Sequence, residues 1–218
     1  MPQSGITDMA GFELGEPALV CRWRLANRQL PLTNRHMRAL MARMINGEHV
    51  TSELAAWAKQ HIEWTLEQGA AENPNGTLML IVDTDKRAAM TVGPYVSLPN
   101  TTLNALAHRA TKAQNEAMAT GVAPETLWLV CDGHLVWNLG EGHSPSGTSS
   151  LVAQLAQTLG IPVETRADLL DGLVAQTISF DEAFLVSDEH GVVPASDAQG
   201  PHGQRMAQGY QRLLDKTR

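Results

Sequence analysis

Residues 147–150 read Gly-Thr-Ser-Ser and open an amphipathic run over residues 151–159. A glycine- and hydroxyl-rich turn that starts a helix offers unpaired backbone N–H groups and the positive end of the helix dipole, which together hold anions. Gly147, Thr148 and Ser149 are therefore candidate ligands for a phosphate or carboxylate group. The same residues have a simpler reading, because serine and threonine ahead of an apolar helical run cap helices with no ligand present. Downstream, residues 181–187 form a strand-like Asp-Glu-Ala-Phe-Leu-Val-Ser segment that ends in a polar turn and is closed by Gly191-Val192-Val193-Pro194.

Other groups capable of chemistry are scattered. Cys131-Asp132-Gly133-His134, with His143 downstream, suggests zinc, but zinc takes four tetrahedral ligands in paired spacings. A β-hairpin turning at Asp132-Gly133 explains the same residues. Cys21 lies in a half-apolar strand and reads as a small packed side chain. His36, His61, His108 and His190 have no serine or cysteine in an elbow-type motif near them, so no hydrolase triad is visible.

The 218 residues can bury a substantial core. The formal net charge of −7 comes with no basic stripe, which argues against a nucleic-acid partner. No apolar run approaches the roughly 18–20 residues of a membrane span. Residues 1–14 lack the charged start and apolar stretch of a signal peptide. Two cysteines are too few for a disulfide framework, so a soluble protein of the reducing cytoplasm is expected.

The elements that must position these residues alternate between helix and strand. Residues 18–25 read as a strand turning at Asn27-Arg28 into residues 29–32. Thr33 or Asn34 is expected to cap a helix running through Met37, Leu40, Met41 and Met44. Thr51-Ser52-Glu53 opens a second helix, with Leu54, Ala58, Ile62 and Leu66 at every fourth position. Asn73-Pro74-Asn75-Gly76 is a turn into an apolar strand over 77–82, with 88–92 as its hairpin partner. Gly93-Pro94 and Pro99 disfavour regular structure and mark residues 95–100 as a linker between a small domain, 1–94, and a larger one, 101–218. Beyond it come a helix over 102–120, strands at 127–130 and 134–137, a helix capped by Thr148 or Ser149, strands at 163–166 and 184–186 around a short helix at 168–174, and a last helix over 204–216. The expected class is α+β in two domains.

Several segments, in this order, resemble the class IV pyridoxal-phosphate aminotransferases, a family that includes branched-chain and D-amino-acid aminotransferases and aminodeoxychorismate lyase. They are Gly11-Phe12 through Glu16 before the first strand, Arg35-His36 before Leu40, and Asn104 ahead of Asn115-Glu116-Ala117 and Gly121. To these add Leu159-Gly160-Ile161-Pro162-Val163, Asp181 to Leu185, Pro194, and Gly200 to Gly203. The resemblance runs from Gly11 to the C-terminus. It implies the two-domain fold-type IV architecture, a homodimer and a ligand cleft between domains. It also implies that Gly147, Thr148, Ser149 and Ser187 would face the phosphate of pyridoxal phosphate.

The departures from that family fall on the chemistry. A Schiff base needs a lysine amine. The four lysines are Lys59, Lys86, Lys112 and Lys216, while the family lysine falls at Thr101 or Asn100. Lys112 is the nearest alternative, but it sits well along a helix, pointing away from the Leu103 face as a solvated side chain. The family's phosphate arginine falls at Ala39; Arg38 and Arg43 flank it and read as surface charge. The second phosphate-side hydroxyl falls near Asp188, whose carboxylate would repel phosphate. The glutamate that pairs with the pyridine nitrogen falls where the strand ends in Trp137, with Glu141 as a stand-in.

The chain is thus expected to be a divergent relative without Schiff-base catalysis that binds a small anion or a partner, with any pyridoxal phosphate held non-covalently. An active aminotransferase or lyase built on Lys112, and a structural or regulatory dimer, are the alternatives.

Overall fold

The computed structural model describes residues 13–217, so Gly11 and Phe12 of the N-terminal motif lie outside the described residues. The first half of the chain runs β1 (Pro17–Arg24), α1 (Thr33–Met41), β2 (Met44–Ile45), β3 (Glu48–His49), α2 (Ser52–Gly69), β4 (Thr77–Asp83) and β5 (Ala88–Gly93). β1, β4 and β5 form an antiparallel sheet in that order. Alternation along β1 buries Leu19, Cys21 and Trp23 and turns Arg22 and Arg24 to the other face. Against the buried face lie Ala58 and Ile62 of α2, with Leu54 and Leu66 partly buried beside them, as the four-residue spacing predicts.

The second half runs α3 (Leu103–Thr120), β6 (Val122–Ala123), β7 (Glu125–Cys131), β8 (His134–Trp137), β9 (Ser144–Pro145), α4 (Gly147–Thr158), β10 (Val163–Thr165), α5 (Leu169–Val174), β11 (Glu182–Ser187), β12 (Gly191–Pro194) and α6 (Pro201–Lys216). Its sheet has the order β10-β8-β7-β11-β12, antiparallel except for the parallel β10–β8 pair. Helices cover both faces. Val152 and Ala156 of α4 and Met206, Tyr210 and Leu214 of α6 pack on one side with Trp128 and Phe184. Leu106 and Ala110 of α3 and Leu169 and Leu170 of α5 pack on the other with Leu127, Leu129 and Leu185. Between the sheets, residues 94–102 carry no helix or strand.

Local readings fail where a turn intervenes. The first helix ends at Met41 rather than reaching Met44, because Asn46 and Gly47 take positive φ (53° and 79°) and fold Met44 into the β2–β3 hairpin. Asn-Gly is the strongest two-residue hairpin signal, and the helical periodicity masks it. Neither Thr33 nor Asn34 caps α1; the cap position is Leu32, at φ 60°, with no side-chain bond. The turn at Asn27-Arg28 forms, but it yields a single bridge between Ala26 and Gln29 instead of a strand over 29–32. The cap of α4 is Ser146, not Thr148 or Ser149: its Oγ accepts the Ser149 N–H at 3.3 Å. That shift of two or three residues decides what the glycine turn can do.

Candidate functional site

With Ser146 as cap, Gly147, Thr148 and Ser149 form the first turn of α4, and all three are buried. Ser149 joins a closed hydroxyl network. Its Oγ lies 3.1 Å from the Ser146 Oγ and 2.9 Å from the Thr126 Oγ1, which in turn accepts the Trp128 indole N–H at 2.9 Å. Gly147 packs against α1, where a Cβ would meet the His36 Nδ1 at 2.5 Å and the His36 backbone nitrogen at 3.1 Å.

The Thr148 N–H, the donor expected to face an anion, donates to the Asp188 Oδ1 at 2.7 Å. The other carboxylate oxygen of Asp188 lies 3.4 Å from the His36 Nδ1. Asp188 is 5% exposed. Burial works against its charged form, but the His36 imidazole and Thr148 outweigh it and hold the carboxyl below its ordinary range. The positive end of α4 is thus matched to a carboxylate of the chain itself.

Asp188 reaches this place through the β11–β12 turn. The Ser187 Oγ accepts the N–H groups of Glu189 and His190 at 3.2 and 3.1 Å, so this hydroxyl closes the turn. The Asp188 carbonyl accepts the Arg24 N–H at the end of β1. At the opposite end of β11 the geometry repeats. Glu182 accepts the backbone N–H groups of His202 (3.2 Å) and Gly203 (2.9 Å) at the start of α6, whose cap position, Gly200, has no side chain to do so. Burial opposes the Glu182 charge as well, and these N–H groups and His202 overcome it, so its pKa too is lowered.

Beside the turn opens a cleft of about 210 Å³ between β1, α3 and the start of β7. Arg22, Arg109, Lys112, Glu116, Glu125 and Glu189 supply its charges, and Ser187 reaches its wall. Arg109 forks onto Glu125 at 2.9 and 2.7 Å. Lys112 is exposed, as its helical position predicts, yet it lies on the cleft-lining face of α3 with Arg109 and Glu116. No ion pair engages Arg22 or Lys112 among the described residues.

Other candidates sort differently. Arg38 is exposed, as expected, but Arg43 is not surface charge: it lies beyond the end of α1, is 2% exposed, and donates to Glu116 at 3.2 Å. Burial opposes the Arg43 charge, and Cys21, Glu116 and Asp188 more than offset that, raising its pKa. Burial pushes the Cys21 thiol up to about 11, in keeping with a packed, unreactive side chain. Ala39 is buried in α1. Trp137 packs on Trp128 and donates to the Thr165 Oγ1, while Glu141 lies exposed in a turn. Among the described residues no group of three or more His, Cys, Asp and Glu side chains could hold a metal ion, and Asp132-Gly133 forms the β7–β8 turn. No described helix is long and apolar enough to cross a membrane.

Sequence reasoning missed the burial of Arg43 and the bond from Thr148 to Asp188. The signal for the second was present, since Asp188 stands where a phosphate-side hydroxyl is expected. Repulsion of phosphate was legible there; replacement of it was not.

No family model and no curated protein matches the chain. Solved structures do. An aminotransferase from Brucella abortus bound to pyridoxal phosphate is 17% identical, with a TM-score of 0.56 over 94% of each chain. A hypothetical aminotransferase from Mycobacterium tuberculosis, in apo form, is 15% identical, with a TM-score of 0.59 over 99% of this chain and 93% of that one. A mutant branched-chain amino acid aminotransferase from Thermobaculum terrenum is 15% identical, with a TM-score of 0.56 over 97% of this chain and 90% of that one. The chain has the α+β, fold-type IV architecture of the class IV pyridoxal-phosphate aminotransferases. At these identities the likeness concerns the fold; function is argued from the site.

Proposed function

We propose that this chain keeps the class IV aminotransferase fold without Schiff-base catalysis, and that it binds a small anionic molecule or a partner in the cleft lined by Arg22, Arg109 and Lys112. The observation that carries this reading is the 2.7 Å bond from the Thr148 N–H to the Asp188 carboxylate. A phosphate at the α4 turn would have to displace a buried carboxylate of like charge, together with a charge-assisted bond of about 1.5–3 kcal/mol.

The residues present do not fit pyridoxal phosphate. The first-turn donor is engaged, the face of Gly147 is closed by His36, and Ala39 stands where the resemblance calls for an arginine. Arg22 and Lys112, which have no ion-pair partner among the described residues, support anion binding in the cleft instead. The fold resemblance supports a homodimer, and the two free cysteines suit a reducing cytoplasm.

One observation favours the second reading, an active enzyme: Lys112 reaches the same cleft as Ser187. Incubation with pyridoxal phosphate, borohydride reduction and peptide mass spectrometry separate the two. The expected result is a colourless protein with no selective adduct. A single adduct on Lys112, absent from the other lysines and retained through gel filtration, overturns the proposal. In the binding arm, inorganic phosphate or citrate should raise the melting temperature of the native chain, and Arg22→Gln with Lys112→Gln should abolish that rise.

A further inference from the structure

Across the β11–β12 turn from the cleft lies a separate, solvent-open cavity of about 380 Å³, lined by the end of β1, Tyr95, His190 and one face of α6. Two nitrogens of residues lining it have no hydrogen-bond partner among the described residues. The Arg24 guanidinium lies over the Tyr95 ring, its carbon 3.4 Å from the ring centre, and its Nη1 is buried with no acceptor. The His190 side chain is 5% exposed, and its Nδ1 is likewise buried without a partner. Both residues contact Tyr95, with the His190 and Tyr95 rings 5.7 Å apart. On the α6 side, Tyr210 presses on Gly191, where a Cβ would lie 2.2 Å from the ring, so the wall is fixed by close packing. Val192, Ala207 and Leu214 complete an apolar floor.

We propose that this cavity is a binding site for a small carboxylate with an apolar body, its carboxylate on Arg24 and His190 and its body on Val192, Ala207 and Leu214. An unpaired buried donor costs about 1–3 kcal/mol, and here two such nitrogens belong to side chains that line one space. A ligand that satisfies both must accept hydrogen bonds, and the fixed charge of Arg24 selects an anion. Gln208 and Gln211 add polar wall on α6, but two tyrosine rings with Val192, Ala207 and Leu214 still offer an apolar surface that a bare inorganic ion would not use. His190 is suited to donate from a neutral ring: burial first, then the repulsion of Arg109, Arg24 and Arg22 against the attraction of Glu125, push its pKa down to about 4. Glu189, 3.8 Å from the far ring nitrogen, is the remaining charge beside it.

The site is independent of the cleft reading and is tested separately, by NMR of the His190 and Tyr210 ring signals in the full-length chain. Benzoate should move both sets of signals saturably, and benzyl alcohol, of similar shape without the charge, should not. Arg24→Gln should weaken benzoate at least about tenfold, the equivalent of losing one charge-assisted bond, and Arg22→Gln in the neighbouring cleft should leave it unchanged. Ala207→Phe fills the cavity from α6 with Arg24 intact and should abolish the response even if Arg24→Gln fails to fold. The proposal is overturned by absent shifts, by equal shifts with the alcohol, by benzoate binding that survives Ala207→Phe, or by binding lost with Arg22→Gln.

Discussion

Asp188 and Thr148 are joined across the molecule by a 2.7 Å bond, from the first turn of α4 to the carboxylate that follows β11. Glu182, at the other end of that strand, does the same for α6. One buried strand therefore carries an acid at each end, and each acid meets a helix N-terminus whose own cap leaves donors free.

Removing the first of these acids should be expensive. Asp188→Ala leaves the buried Thr148 N–H without an acceptor and the His36 ring without its carboxylate neighbour, and is expected to cost about 3 kcal/mol, read as a lower urea midpoint. Asp188→Asn keeps an acceptor and should cost less than the alanine variant. Equal stability of all three proteins would show that the bond contributes nothing.

Asp188→Ser should expose the anion site that the native chain keeps filled. Inorganic phosphate is expected to raise the melting temperature of this variant through the α4 turn, with the rise surviving Arg22→Gln and Lys112→Gln. In the native chain those two substitutions should remove any phosphate response. Calorimetry of both backgrounds decides the matter.

Acid should weaken the fold through both carboxylates. Their native pKa values lie below the unfolded ones, about 3.9 for Asp and 4.3 for Glu, so their stabilisation is present above the unfolded values. It is lost as pH falls through the native ones. Urea unfolding between neutral pH and pH 3 should show this decline, and Asp188→Asn with Glu182→Gln should flatten it.

Gly147→Ala is expected to cost about 1–3 kcal/mol, because the added Cβ lies 2.5 Å from the His36 ring and 3.1 Å from backbone that cannot yield. The loss should shrink when His36→Ala is already present. A double-mutant cycle on the urea midpoint measures that coupling.

Much of the architecture is legible along the chain, because periodicity and turn chemistry act over a few residues. The α2 stripe of Leu54, Ala58, Ile62 and Leu66 and the Asp132-Gly133 hairpin form as their spacing predicts. At Met44 two local signals compete, and the Asn46-Gly47 turn prevails over helical spacing because the hairpin's pairing, like Val50 N–H bonding the Arg43 carbonyl, reaches outside the helix.

The sequence by itself determined which groups are available: a glycine-hydroxyl turn at 147–149, an acid at Asp188, and no lysine at Thr101. Only the tertiary structure decided how they meet, because Asp188 and Thr148 stand forty residues apart and their contact depends on how the β11–β12 turn sits against α4. The same holds for Arg43, whose position after a helix suggests surface charge until α3 and β1 close over it. Local physics sets the donors, and long-range packing chooses their acceptors.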